Sequence, residues 1–123
     1  MKASELRLGN LFIEEYTNSI IQVIQLETDK IFFSLKFVSQ WQAKPIPLTE
    51  EWLLKFGFEK NFNNFYEKLI NKDEDDFIGK LTDYGFAYYI DKKDNYPLIY
   101  IKYVHQLQNL YFALTSEELT IKE

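Results

Sequence analysis

The chain contains no cysteine. That excludes disulfides, thiolate nucleophiles and cysteine-ligated zinc, and it fits a reducing compartment. Histidine occurs once, as His105, and arginine once, as Arg7. A multi-histidine metal centre is therefore ruled out. The four glycines, Gly9, Gly57, Gly79 and Gly85, are scattered and form no phosphate-cradling loop. None of Ser4, Ser19, Ser34, Ser39 or Ser116 sits in a Gly-x-Ser-x-Gly elbow that would present a nucleophile to His105. No apolar run approaches the roughly 20 residues that span a bilayer. The opening "MKASELRLGN" lacks the apolar stretch of a signal peptide. A cytoplasmic protein without membrane partners is expected.

Acidic residues outnumber basic ones, 19 Asp and Glu against 14 Lys and Arg. The net charge is −5, which disfavours a surface built to neutralise phosphates, so high-affinity binding to duplex DNA is not expected. An acidic chain suits a basic partner surface, including one that holds RNA.

What the sequence has in quantity is aromatic residues, 18% of the chain, with eleven Phe and nine Tyr. With 46% hydrophobic residues over 123 positions, a single globular domain spanning 1–123 can bury about two-thirds of its unfolded surface without a staple. That many rings are hard to hide in so small a domain, so some are expected at the surface.

The first third reads as β-structure. "NLFIEEY" (Asn10–Tyr16), "SIIQVIQLE" (Ser19–Glu27) and "KIFFSLKFV" (Lys30–Val38) are rich in β-branched and aromatic residues. Thr17-Asn18 and Thr28-Asp29 are placed as turns between them. The second segment is apolar on both faces, which predicts a curled sheet or small open barrel.

"PIPLTEEWLLKFGFEK" (Pro45–Lys60) is punctuated as a short helix. Thr49 is a good N-cap, with Glu50 and Glu51 on the dipole's positive end. Leu48 and Leu53 stand at the two positions of a hydrophobic staple, and Gly57 can close the C-terminus in the left-handed conformation. Each special residue has a structural role and none is a nucleophile. Further strands are predicted in "NFYEKLI", "GFAYYID" and "YPLIYIK", with "NKDEDDFIGKLTDYG" as an exposed loop or short irregular segment. On "KYVHQLQNLYFALT", helical spacing puts Tyr103, Val104, Leu107, Leu110, Tyr111 and Leu114 on one side. His105, Gln108, Asn109 and Phe112 fall on the other. The fold class is α+β, an antiparallel sheet or small open barrel of about six strands with a short central helix and a C-terminal helix.

No catalytic, cofactor-binding or metal-binding residue stands out. The densest charge cluster, Asp73, Glu74, Asp75 and Asp76, fails the EF-hand pattern: counted from Asn71, Asp76 and Thr82 occupy the places for Gly and Glu. It reads either as a solvated loop or as an acidic contact for a basic groove. Phe112, beside His105 and Gln108 on the less apolar side of the last helix, reads either as a ring covered by the C-terminal tail or by Trp41 or as an interface anchor. An enzyme acting through carboxylates brought together in space stays open.

The segments "PIPLTEEWLLKFGFEK" and "IKYVHQLQNLYFALTSEEL", with the opening "KASELRLGN", resemble a family of small proteins found in bacterial genomes and prophages. Ser116 stands where that family carries Gly. Within this setting the chain is similar to anti-CRISPR inhibitors of the type VI-B RNA-guided ribonuclease. The resemblance implies a non-enzymatic host-defence inhibitor that binds the nuclease, with or without its guide RNA, and disturbs guide or target RNA binding. It implies no cofactor. Asp73, Glu74, Asp75, Asp76, His105, Gln108 and Phe112 are the partner-binding residues expected on this reading. A prophage accessory module for another host protein is the alternative.

Overall fold

A computed structural model describes residues 5–35, 42–60, 65–67, 77–81, 85–89 and 99–121. The expected α+β class is observed: antiparallel strands with a short helix and a C-terminal helix. The chain divides into two compact units, Met1–Pro47 with Tyr103–Asn109, and Leu48–Lys102 with Leu110–Glu123.

In the first unit, β1 (Leu11–Glu14), β2 (Ile20–Leu26), β3 (Ile31–Phe33) and β4 (Ala43–Pro45) form an antiparallel sheet in the order β3-β2-β1-β4, curled into half a barrel. All three strands predicted in this region are present, each shorter than the apolar segment that suggested it. The turn between β1 and β2 is fixed by Glu14. Its carboxylate accepts from the Tyr16 amide at 3.0 Å, the Thr17 amide at 2.8 Å and the Thr17 hydroxyl at 2.6 Å. Asn18 then takes φ +57°, a left-handed conformation that Asn tolerates better than most residues.

Strand β2 buries one face only. Ile21 and Val23 are buried, whereas Ile20 and Ile24 face water. The register explains how Leu26 nonetheless reaches the core. Val23 pairs with Phe33, Gln25 with Phe32 and Leu26 with Ile31, so Ile24 is an extra residue in the ladder. This bulge reverses the alternation. Beyond it Leu26 packs against the cluster of Leu6, Phe12, Ile21, Val23, Ile31, Phe33 and Ala43.

Helix α2 (Val104–Thr115) contributes its first turns to this unit. The Gln106 side-chain oxygen accepts from the Tyr103 amide at 3.1 Å, one half of a capping box. Val104, Leu107 and Gln108 are buried. The buried stripe of α2 is thus rotated from the expected one: Gln108 belongs to it and Leu114, at 44% exposure, does not. Hydrogen bonding is the reason. Gln108 Oε1 accepts from the Leu11 amide at 2.9 Å and Nε2 donates to the Gly9 carbonyl at 3.1 Å. Asn10 Nδ2 donates to Asn109 Oδ1 at 2.8 Å, and Asn109 Nδ2 donates to the Glu5 carbonyl at 3.1 Å. These amides replace water for backbone groups of the N-terminal segment, which removes the cost of burying a polar side chain.

In the second unit, α1 (Glu50–Lys55) forms as its punctuation predicts. Thr49 is extended and its hydroxyl accepts from the Trp52 amide at 3.4 Å. At the far end the Phe58 amide donates to the Leu53 carbonyl and the Gly57 amide to the Leu54 carbonyl, each at 3.0 Å. With Gly57 at φ +89°, this is a Schellman closure. Leu48, Trp52, Leu53, Phe56 and Phe58 are all buried.

Strands β5 (Glu59–Lys60), β6 (Phe65–Glu67), β7 (Phe77–Leu81), β8 (Gly85–Tyr89) and β9 (Ile99–Ile101) follow as an antiparallel meander in chain order. The central strand β7 lies inside "NKDEDDFIGKLTDYG", which the sequence suggested was an exposed loop or short irregular segment. Residues 77–81 are instead paired on both sides, with β6 and with β8. Phe86, Ala87 and Tyr88 of β8 are buried on both faces of the sheet. Tyr66 is 1% exposed and packs edge-on against Phe86 at 5.9 Å. Burial, then the hydrogen bond and charge of Glu50, push its phenol up to about 12.

Candidate interaction surface

The surface begins with the same bulge. Because β2 alternates up to Ile24 and the ladder then skips that residue, Ile20, Gln22, Ile24 and Gln25 all lie on the outer face of the first unit's sheet. Register adds Ile13, paired with Ile20, and Phe32, paired with Gln25. Ile20 is 50% exposed, Ile24 55% and Phe32 39%. Two isoleucines and a phenylalanine are thus exposed on the outer face of two adjacent strands, interleaved with Gln22 and Gln25.

Polar groups frame this face. Gln25 Nε2 donates to Glu27 Oε1 at 3.4 Å, which holds the carboxylate beside the Gln25–Phe32 pair. Asp29 is exposed in the turn that follows, closed by the Glu27 amide donating to the Lys30 carbonyl at 2.9 Å. Beyond the other end of β2, Glu15 stands 4.0 Å from Lys44. The face mixes exposed apolar side chains with Gln22 and Gln25, and it carries carboxylates at Glu27 and Asp29 along one border. That arrangement suits a partner with an apolar knob flanked by basic side chains.

The residues proposed from sequence are distributed differently. Asp73, Glu74, Asp75 and Asp76 lie outside the described residues. Gln108 is not an exposed amide: it is 4% exposed and both ends of its side chain are hydrogen-bonded to backbone in the first unit. Phe112 is half-buried and belongs to the second unit. His105 is half-buried in the first, stacked against Phe12 at 4.9 Å and Tyr103 at 5.8 Å. Its Nδ1 is buried and has no hydrogen-bond partner. Burial holds its imidazole below the ordinary value, with the Glu5 charge acting the other way.

Sequence reasoning missed Ile24 and Phe32, since apolar residues in a strand read as core. The one available signal was that β2 is apolar on both faces, so one of them had to face something other than a single hydrophobic layer.

Among the described residues, no group of three or more His, Asp or Glu side chains is placed to hold a metal ion, and no helix is long and apolar enough to cross a membrane. No protein-family model matches the chain, and neither a curated protein nor a solved structure shows significant similarity to it.

Proposed function

We propose that this protein acts by binding, as an inhibitor of a type VI-B RNA-guided ribonuclease that occupies a basic, RNA-handling surface of the nuclease or of its guide complex. The observation that carries the binding reading is the outward row Ile20, Ile24 and Phe32 with its acidic border at Glu27 and Asp29. Apolar side chains exposed together on paired strands are costly to leave in water, and burying them against a partner returns that free energy, about 25 cal/mol per Å² of apolar surface. The carboxylates favour a basic surface over an acidic one and steer encounter with it. The Pro45–Lys60 and Ile101–Leu119 segments resemble a family of small bacterial and prophage proteins, and the particular target is the one implied by the chain's likeness, within that setting, to anti-CRISPR inhibitors. Inhibition by occupancy asks for shape and charge, not for a reaction centre.

The test is a pull-down of the purified chain with guide-loaded and guide-free nuclease, paired with survival of phage in cells that carry the system. Retention of the chain on the nuclease and restored phage survival are expected. Phe32→Asp and Ile24→Asp, both at exposed positions, should abolish both effects while leaving the melting temperature near that of the parent. Failure of the parent chain to associate in either guide state contradicts the proposed target.

A further inference from the structure

We propose that His105 is an acid-sensitive latch that holds the first turn of α2 against β1 within the first unit. The imidazole is sandwiched. Phe12 of β1 stacks on it at 4.9 Å with the rings 24° apart, and Tyr103, the residue before α2, stacks at 5.8 Å and 10°. Phe12 is fully buried, and the buried Nδ1 of His105 meets no hydrogen-bonding atom. The neutral ring with its proton on Nε2 leaves Nδ1 a bare acceptor, a modest penalty. Protonation turns the same atom into a charged donor with no acceptor, and an unpaired charged group is far costlier to bury than a neutral one.

The surrounding groups set the balance. Phe12 presents an uncharged ring from β1. Tyr103 presents a phenol from the start of α2, and Glu5 is the described carboxylate that acts on the imidazole. Ring faces and Glu5 favour the cation. The orphaned Nδ1, the burial and the position at the second residue of α2, where the helix dipole repels positive charge, all disfavour it. Burial outweighs Glu5.

The sign for stability follows. The native imidazole binds its proton less tightly than the unfolded one, so the unfolded state holds more protons in mild acid. The latch is fully engaged above about pH 6.5 and weakens as pH falls below it. Its release is transmitted to Gln108, one turn on, which grips the Leu11 amide.

His105 is the only histidine, so a single imidazole Cε1–H resonance reports it without assignment ambiguity. In an NMR titration of the full chain, that resonance should titrate with a midpoint below about 6.5, and the Leu11 amide should shift with the same midpoint. A His105 midpoint at or above that value, or a Leu11 amide that does not follow it, overturns the latch. In urea unfolding between about pH 7.5 and pH 5, the parent should lose more of its midpoint than His105→Gln, whose side chain carries no titrating proton. Equal losses in the two proteins also overturn it, and if His105→Gln does not fold, the NMR titration of the parent decides alone.

Discussion

Gln108 and Leu11, 97 positions apart in sequence, are joined by a buried hydrogen bond of 2.9 Å from the Leu11 amide to the Gln108 side-chain oxygen. A residue that sequence spacing places among the polar side chains of α2 is therefore part of the interior. It serves as a substitute backbone partner for the start of β1.

Gln108→Leu keeps the volume but leaves the Leu11 amide without an acceptor. A buried unsatisfied donor costs about 1–3 kcal/mol, so chemical denaturation should show a loss of about 2 kcal/mol. The same variant tests the role assigned to this residue. If Gln108 were an interface contact, its folded fraction would bind the partner more weakly than the parent; the geometry predicts equal binding by the folded fraction.

Ser116 closes α2 at φ +60°, with its amide donating to the Phe112 carbonyl at 2.8 Å. A side chain in the left-handed region costs about 1 kcal/mol relative to glycine. Ser116→Gly should raise stability by about that amount, read as a higher urea midpoint with unchanged slope. A lower midpoint would show that the serine side chain contributes more at this position than its backbone strain costs.

Glu14 gives the acid limb of stability. The Thr17 hydroxyl, then the Tyr16 amide and more weakly the Thr17 amide, hold its carboxyl below the ordinary value against an opposing effect of burial. A depressed carboxylate stabilises the fold above its unfolded value of about 4.3, and that contribution is lost as pH falls through the lower native value. Glu14→Gln, which cannot ionise, should be less stable than the parent at neutral pH, and the difference should shrink below about pH 4. A gap of constant size across that range would contradict the assignment.

Legibility in the sequence differed by element, for physical reasons. Helix α1 was readable to within a residue because its signals are local: Thr49 before the first turn, Gly57 after the last, and the leucines at the staple positions. Strands β1, β2 and β3 were readable from β-branched and aromatic runs. Strand β7 was not, because Gly79 and Lys80 interrupt a short apolar run directly after four acids, and its pairing with β6 and β8 is a long-range fact. The orientation of α2 was hidden for the same reason. Helical spacing ranks Gln108 as polar, whereas its burial is decided by Gly9 and Leu11 at the other end of the chain. The candidate surface was least visible, since the bulge that turns Ile24 outward exists only in the register between β2 and β3.

Titration calorimetry decides whether the proposed inhibitor binds through the exposed face of its first unit. The parent chain, Phe32→Asp and Gln108→Leu are each titrated into guide-loaded and guide-free nuclease. Binding at micromolar or tighter concentration (about −8 kcal/mol or better) is predicted for the parent, with at least a tenfold loss for Phe32→Asp and none for the folded fraction of Gln108→Leu. Parent and Phe32→Asp binding with equal affinity would contradict the claim that this face makes the contact.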